Sequence, residues 1–198
     1  MSDMEPNGRR SGKAVQWAAG PGLAVLLLCS QTTRAEIADS APGGFTLRET
    51  AHVAAAPDKV YGALIVPARW WSSEHTFSGN AANMSFDARA GGCWCEALPG
   101  GGSVLHMTVV YAVPGKALRM RGALGPFQAM ATEGVMTWSL VPAASGTDVT
   151  LTYAITGYAK DGFGQIAPAA DSVLAKQVAR LRSFVETGQP SPAQGATP

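Results

Sequence analysis

The chain has 198 residues, enough for one domain with short appendages. Charged residues make up 15% and the formal net charge is +1, so no basic excess exists to neutralise phosphates and a nucleic-acid partner is disfavoured. Alanine accounts for 34 positions, yet the larger apolar side chains still suffice for one core, and 36 residues of Gly plus Pro make turns frequent.

In chain order, Arg9, Arg10 and Lys13 precede a short apolar run, Leu23 to Leu28. That run is about half the ~20 residues that span a bilayer. With small residues at Thr33 and Ala35 it reads as a signal peptide over 1–35, cleaved after Ala35 or, second, after Ala38. The expected location is periplasmic or secreted, with no stable membrane span after cleavage. The remaining 163 residues carry 11 basic and 12 acidic side chains and two cysteines, Cys93 and Cys95. On a strand these two point to one face, at a separation too long for a bond without local distortion, and read as small buried thiols.

Residues 36–44 read as a linker. From Phe45 to Val53, apolar Phe45, Leu47, Ala51 and Val53 alternate with Thr46, Arg48, Thr50 and His52, the period of a half-buried strand. Glu49 falls on the apolar side. Pro57 suits the first turn of a helix that Pro67 stops, and Trp70-Trp71 opens a second short piece ending near His75. Six strands follow, at 83–88, 93–98, 104–113, 117–121, 128–141 and 148–157, with a bulge expected at Glu133-Gly134. Pro168 to Thr187 forms an amphipathic helix with Leu174, Gln177, Val178, Leu181 and Phe184 on one stripe and Gly188 past its end. The tail, 188–198, is polar and Pro-rich and reads as disordered.

The fold that buries all these faces is α+β: a curved antiparallel sheet of about seven strands wrapped around a long C-terminal helix, with two short helices after the first strand. Five local runs stand in that order. They are Ala55-Ala56-Pro57-Asp58-Lys59-Val60-Tyr61, Trp70-Trp71, Asp87-Ala-Arg-Ala-Gly91-Gly92-Cys-Trp94, Val113-Pro114-Gly115 and Gly146-Thr147-Asp148-Val149-Thr150-Leu151. Together they resemble the START-like (SRPBCC) superfamily with its helix-grip fold. The resemblance is to the branch of chaperone-ATPase activators and polyketide cyclase/dehydrase-like proteins. It spans 45–187 and implies a cavity between sheet and helix for a hydrophobic small molecule or lipid. Ala90 stands where the family's turn has Pro. Because one fold hosts many functions, activity must be read from the site.

Met and aromatic side chains on the apolar face either fill the core or make an adaptable lining. The lining expected here is Trp71, His75, Trp94, Met107, Tyr111, Met130, Trp138, Tyr153, Leu174 and Gln177. His52 and His106 are expected on the solvent side. His75, beside Glu74 at the expected cavity mouth, suits proton transfer near neutral pH or simply caps a short helix. Glu49 and Glu96 share faces with Leu47 and Trp94. Each is a carboxyl with raised pKa that acts as acid or base, or reaches the rim to pair with Arg69, Arg89, Arg119 or Arg121. The catalytic candidates are therefore Glu49, His75 and Glu96. The scattered histidines lack metal-ligand spacing, and no motif implies a cofactor. Three functions follow: an exported binder of a hydrophobic molecule, a cyclase-, dehydrase- or hydrolase-like enzyme, and a chaperone-activator-like interaction module. Export argues against the last, since its cytosolic chaperone and ATP would be absent.

Overall fold

A computed structural model describes residues 34–190. The expected leader, apart from its last two positions, and most of the expected tail lie outside the described residues. Eight strands form one antiparallel sheet in the order β1-β2-β8-β7-β6-β5-β4-β3. They are β1 (Arg34–Ala41), β2 (Gly44–Val53), β3 (Met84–Phe86), β4 (Cys93–Ala97), β5 (Ser103–Val113), β6 (Ala117–Arg121), β7 (Ala131–Ala143) and β8 (Gly146–Tyr158). Helix α1 (Pro57–Leu64) follows β2, and α2 (Ile166–Thr187) packs on β2 and β1. This is the helix-grip arrangement that the sequence resemblance implied.

The long period-two runs became strands. On β2 and β8, Phe45, Leu47, Val149, Leu151, Tyr153 and Ile155 all point inward and are buried. Residues 36–44, expected as a linker, instead form most of β1 and its turn into β2, which brings the count to eight. The alternation of β1 is broken by a register shift between Ile37 and Asp39, so no period of two marks it. In α1, Pro57 occupies the first turn, where a missing N–H costs nothing, and Val60, Tyr61 and Leu64 face the core. The second short piece is two separate 3-10 turns, Pro67–Arg69 and Ser73–His75. Helix α2 begins two residues before Pro168 and stops at Gly188, whose φ of 80° ends it in the left-handed region.

Bulges fall where the sequence reading placed none. Strand β7 pairs with β8 in unbroken register from Ala131–Tyr158 to Ala143–Gly146, so the expected bulge at Glu133-Gly134 is absent. Gly134 has another use there. A Cβ on it would lie 2.7 Å from the Tyr153 ring and 2.5 Å from the Gly122 carbonyl oxygen, so only glycine lets the strands close around that ring. Two further irregularities lie along β5. Trp94 opposes Met107 while Cys95 opposes Leu105, which makes His106 the extra residue. Val109 opposes Met120 while Tyr111 opposes Arg119, which makes Val110 the next extra.

Two corrections follow from those bulges. His106, expected on the solvent side, turns inward together with Met107, and both are buried. Tyr111, expected inside, is 47% exposed, and the Arg119 guanidinium stacks on its ring. Cys93 and Cys95 are joined in a disulfide rather than free, their Cα atoms 5.5 Å apart across the irregular stretch of β4.

Candidate functional site

Between the first half of α2, the connection 124–129 and the segment 71–77, the concave face of the sheet is left open. A cavity of about 670 Å³ lies there. Trp71 and Trp94 meet edge to face on its wall with ring centroids 4.9 Å apart, and Met84, Phe127, Tyr153 and Leu174 supply further apolar surface. Glu74, His75, Thr76, His106 and Gln128 bring polar groups to it.

Helix α2 holds the segment that carries Trp71. The Arg180 Nε donates to the Trp70 carbonyl at 2.8 Å, and the Ser72 N–H donates to Gln177 Oε1 at 3.0 Å. The Trp71 indole N–H closes the turn by donating to the His75 carbonyl at 2.9 Å. On the opposite wall, the Tyr153 hydroxyl accepts from the Leu124 N–H at 2.9 Å and donates to the Gly122 carbonyl at 3.3 Å. Tyr153 therefore positions the 124–129 connection, and burial pushes its phenol well above the usual range.

A buried pair stands at one end. The Glu96 carboxyl accepts from the Phe77 N–H at 3.1 Å, from the Ser78 N–H, and from His106 Nε2 at 2.9 Å. Burial alone would raise the pKa of Glu96, but the hydrogen bonds from Ser78, Phe77 and His106 outweigh it and hold the group below the usual range. This corrects the expectation of a raised pKa. Burial lowers the pKa of His106 against the opposing pull of Glu96, so its neutral form is favoured. Burial also lowers that of His75, which Glu74 opposes and Lys176 and Arg180 reinforce.

Of the expected lining, Trp71, His75, Trp94, Tyr153 and Leu174 border the cavity. Met107 is buried away from it, Met130 is half-buried elsewhere, and Tyr111 faces out. Trp138 packs against Trp70 in the filled core beside a void of only about 10 Å³. Gln177 is buried but serves the backbone at Ser72. Among the catalytic candidates, His75 borders the cavity, Glu96 stands behind His106, and Glu49 lies outside it against Asp171.

Neither acid pairs with an arginine named for it. Arg89 bonds Asp87, Arg119 bonds Thr137, Arg121 reaches Glu133 and Arg69 stacks on Phe184. The residues that the sequence reading missed, chiefly His106 and Phe127, sit at a bulge and in an irregular connection, where no periodicity points inward. Among the described residues no group of three or more His, Cys, Asp or Glu is placed to hold a metal ion. No helix among them is long and apolar enough to cross a membrane.

Comparison with known proteins adds one family and several folds. The family model described as "Polyketide cyclase / dehydrase and lipid transport" matches residues 44–186. Protein CV1439 from Chromobacterium violaceum is 22% identical with a TM-score of 0.51, covering 71% of this chain and 96% of that one. CalU16 from Micromonospora echinospora is 17% identical with a TM-score of 0.54, covering 80% and 88%. Aha1 from Colwellia psychrerythraea, solved in solution as a dimer, is 20% identical with a TM-score of 0.52, covering 72% and 97%. At these identities the likeness is one of fold. No curated protein matches the sequence.

Proposed function

The chain belongs to the polyketide cyclase / dehydrase and lipid transport family, and from that footing we propose that it binds a hydrophobic small molecule or lipid in the cavity under α2. The cavity carries the reading. At about 670 Å³ it falls within the roughly 300–1,000 Å³ of small-molecule sites, while the core beside it is closely filled. Burying about 200 Å² of apolar ligand surface there is worth on the order of 5 kcal/mol before ordering costs.

Export belongs to the same proposal. The Cys93–Cys95 disulfide supports an oxidising compartment, and the leader pattern supports the route.

A second reading, an acid–base enzyme, is favoured by one observation. Two imidazoles, His75 and His106, border the same cavity and both are held towards their neutral forms. An interaction module calls for a filled interior, which the cavity argues against.

Native mass spectrometry of the protein purified from its own source tests the primary reading. A retained small molecule in one-to-one ratio, lost on denaturation, is expected. A bare protein that also fails to take up naphthalene would overturn the reading.

A further inference from the structure

We infer that His106, oriented by Glu96, is the hydrogen-bond acceptor of the cavity wall, and that the preferred ligands are apolar molecules bearing a neutral hydroxyl, which donates to His106 Nδ1. This inference rests on the cavity being the ligand site.

The argument starts from proton counting. Two backbone N–H groups, of Phe77 and Ser78, and one imidazole nitrogen converge on the Glu96 carboxyl. The backbone groups can only donate, and donors on both oxygens hold the carboxyl below the usual carboxylate range, which favours its ionised form. An ionised carboxylate has no proton to give. The His106 nitrogen 2.9 Å away must therefore carry one, which fixes the Nε2–H tautomer. A neutral imidazole protonated at Nε2 has its lone pair on Nδ1. Among the described residues no hydrogen bond engages that second nitrogen, and the ring itself borders the cavity.

The surroundings narrow the donor. His106 lies between aromatic rings, Trp94 with its centroid at 5.5 Å and Phe77 at 5.8 Å, and Trp71 stands edge-on to Trp94 beyond them. An anionic ligand would meet the Glu96 carboxylate behind the imidazole and Glu74 on the rim. An ammonium would have to give up its water among apolar walls. A neutral hydroxyl meets neither cost. As it donates, the partial positive charge on the imidazole is balanced by the carboxylate at its far nitrogen.

Sequence reading could not reach this pair, because the bulge that turns His106 inward is invisible to a period of two. Glu96 acts through His106 and is a positioning residue.

Equilibrium dialysis of 2-naphthol and naphthalene against the full chain, with His106→Phe and Glu96→Gln alongside, tests the inference. His106→Phe is expected to lower 2-naphthol affinity about tenfold and to leave naphthalene affinity within about twofold. Glu96→Gln is expected to lower only the preference for 2-naphthol, because an amide no longer demands the Nε2–H tautomer.

Nitrogen-15 NMR of labelled histidine supplies a readout that a packing role would not move and that needs no variant to fold. It is expected to show His106 protonated at Nε2, with Nδ1 shifting when 2-naphthol is added and not when naphthalene is added. Protonation at Nδ1, or a Nδ1 resonance indifferent to 2-naphthol, would overturn the inference. Naphthalene binding with no 2-naphthol preference to lose would overturn it alone. Uptake of neither probe would overturn it together with the cavity reading.

Discussion

Glu49 on β2 lies against Asp171 on α2, one carboxyl group beside another, and no N–H or hydroxyl group among the described residues donates to either oxygen of Glu49. Burial first, and the neighbouring Asp171 second, push the Glu49 carboxyl up to about 8. The pair sits where the helix grips the sheet, so its protonation bears on how tightly α2 is held.

The consequence for stability has a definite sign. Below pH 4.5 Glu49 is protonated in both folded and unfolded chains and costs nothing. As pH rises from there to about 8, the unfolded chain releases its proton while the folded one keeps it, so stability falls, and it levels off above. Thermal melts of the wild type are expected to lose on the order of 10 °C across this window from Glu49. Glu49→Gln is expected to flatten that part of the profile and to be the more stable protein at pH 8.5. A variant whose melting temperature falls with pH as steeply as the wild type would contradict this.

Tyr153→Phe removes the acceptor of the Leu124 N–H and the donor to the Gly122 carbonyl. The expected cost is about 1–2 kcal/mol in urea unfolding. The diagnostic is local: amide exchange at Leu124 should speed up by roughly tenfold, since an orphaned N–H is exposed once the connection loosens. Unchanged exchange there would mean the hydroxyl does not position this wall.

The disulfide closes a loop of only three residues, so its entropic effect is small. Replacing Cys93 and Cys95 by Ser is expected to cost about 1–2 kcal/mol. Mass measurement of the protein purified from its own source is expected to show two hydrogens added on reduction. Two alkylatable thiols at Cys93 and Cys95 without reductant would contradict the pairing and remove a support for export.

Where side chains alternate without interruption, their facing was legible: β2 and β8 went inward as their pattern said, and Glu49 and Glu96 stood out as acids on an apolar side. Helix α2 was legible because its apolar stripe spans about three turns and Gly188 marks its end. The losses have one physical cause. An extra residue in a strand reverses the facing of everything after it, so the extra His106 on β5 turned a surface histidine into a wall residue. The next bulge did the reverse to Tyr111. Strand β1 was hidden because an edge strand needs no apolar alternation when its ladder hydrogen bonds hold it. The connection 124–129 lines the cavity without any periodicity to announce it.

The most direct measurement is a titration of the full chain with naphthalene, read by quenching of tryptophan fluorescence, for the wild type and for Ala170→Trp. Ala170 borders the cavity from α2, and an indole there fills the space a ligand would take. Saturable one-to-one binding by the wild type, weakened at least about tenfold in Ala170→Trp with a melting temperature within about 3 °C, is the expected result. Equal binding by the two proteins, or no saturable binding by the wild type, would contradict the cavity as the ligand site.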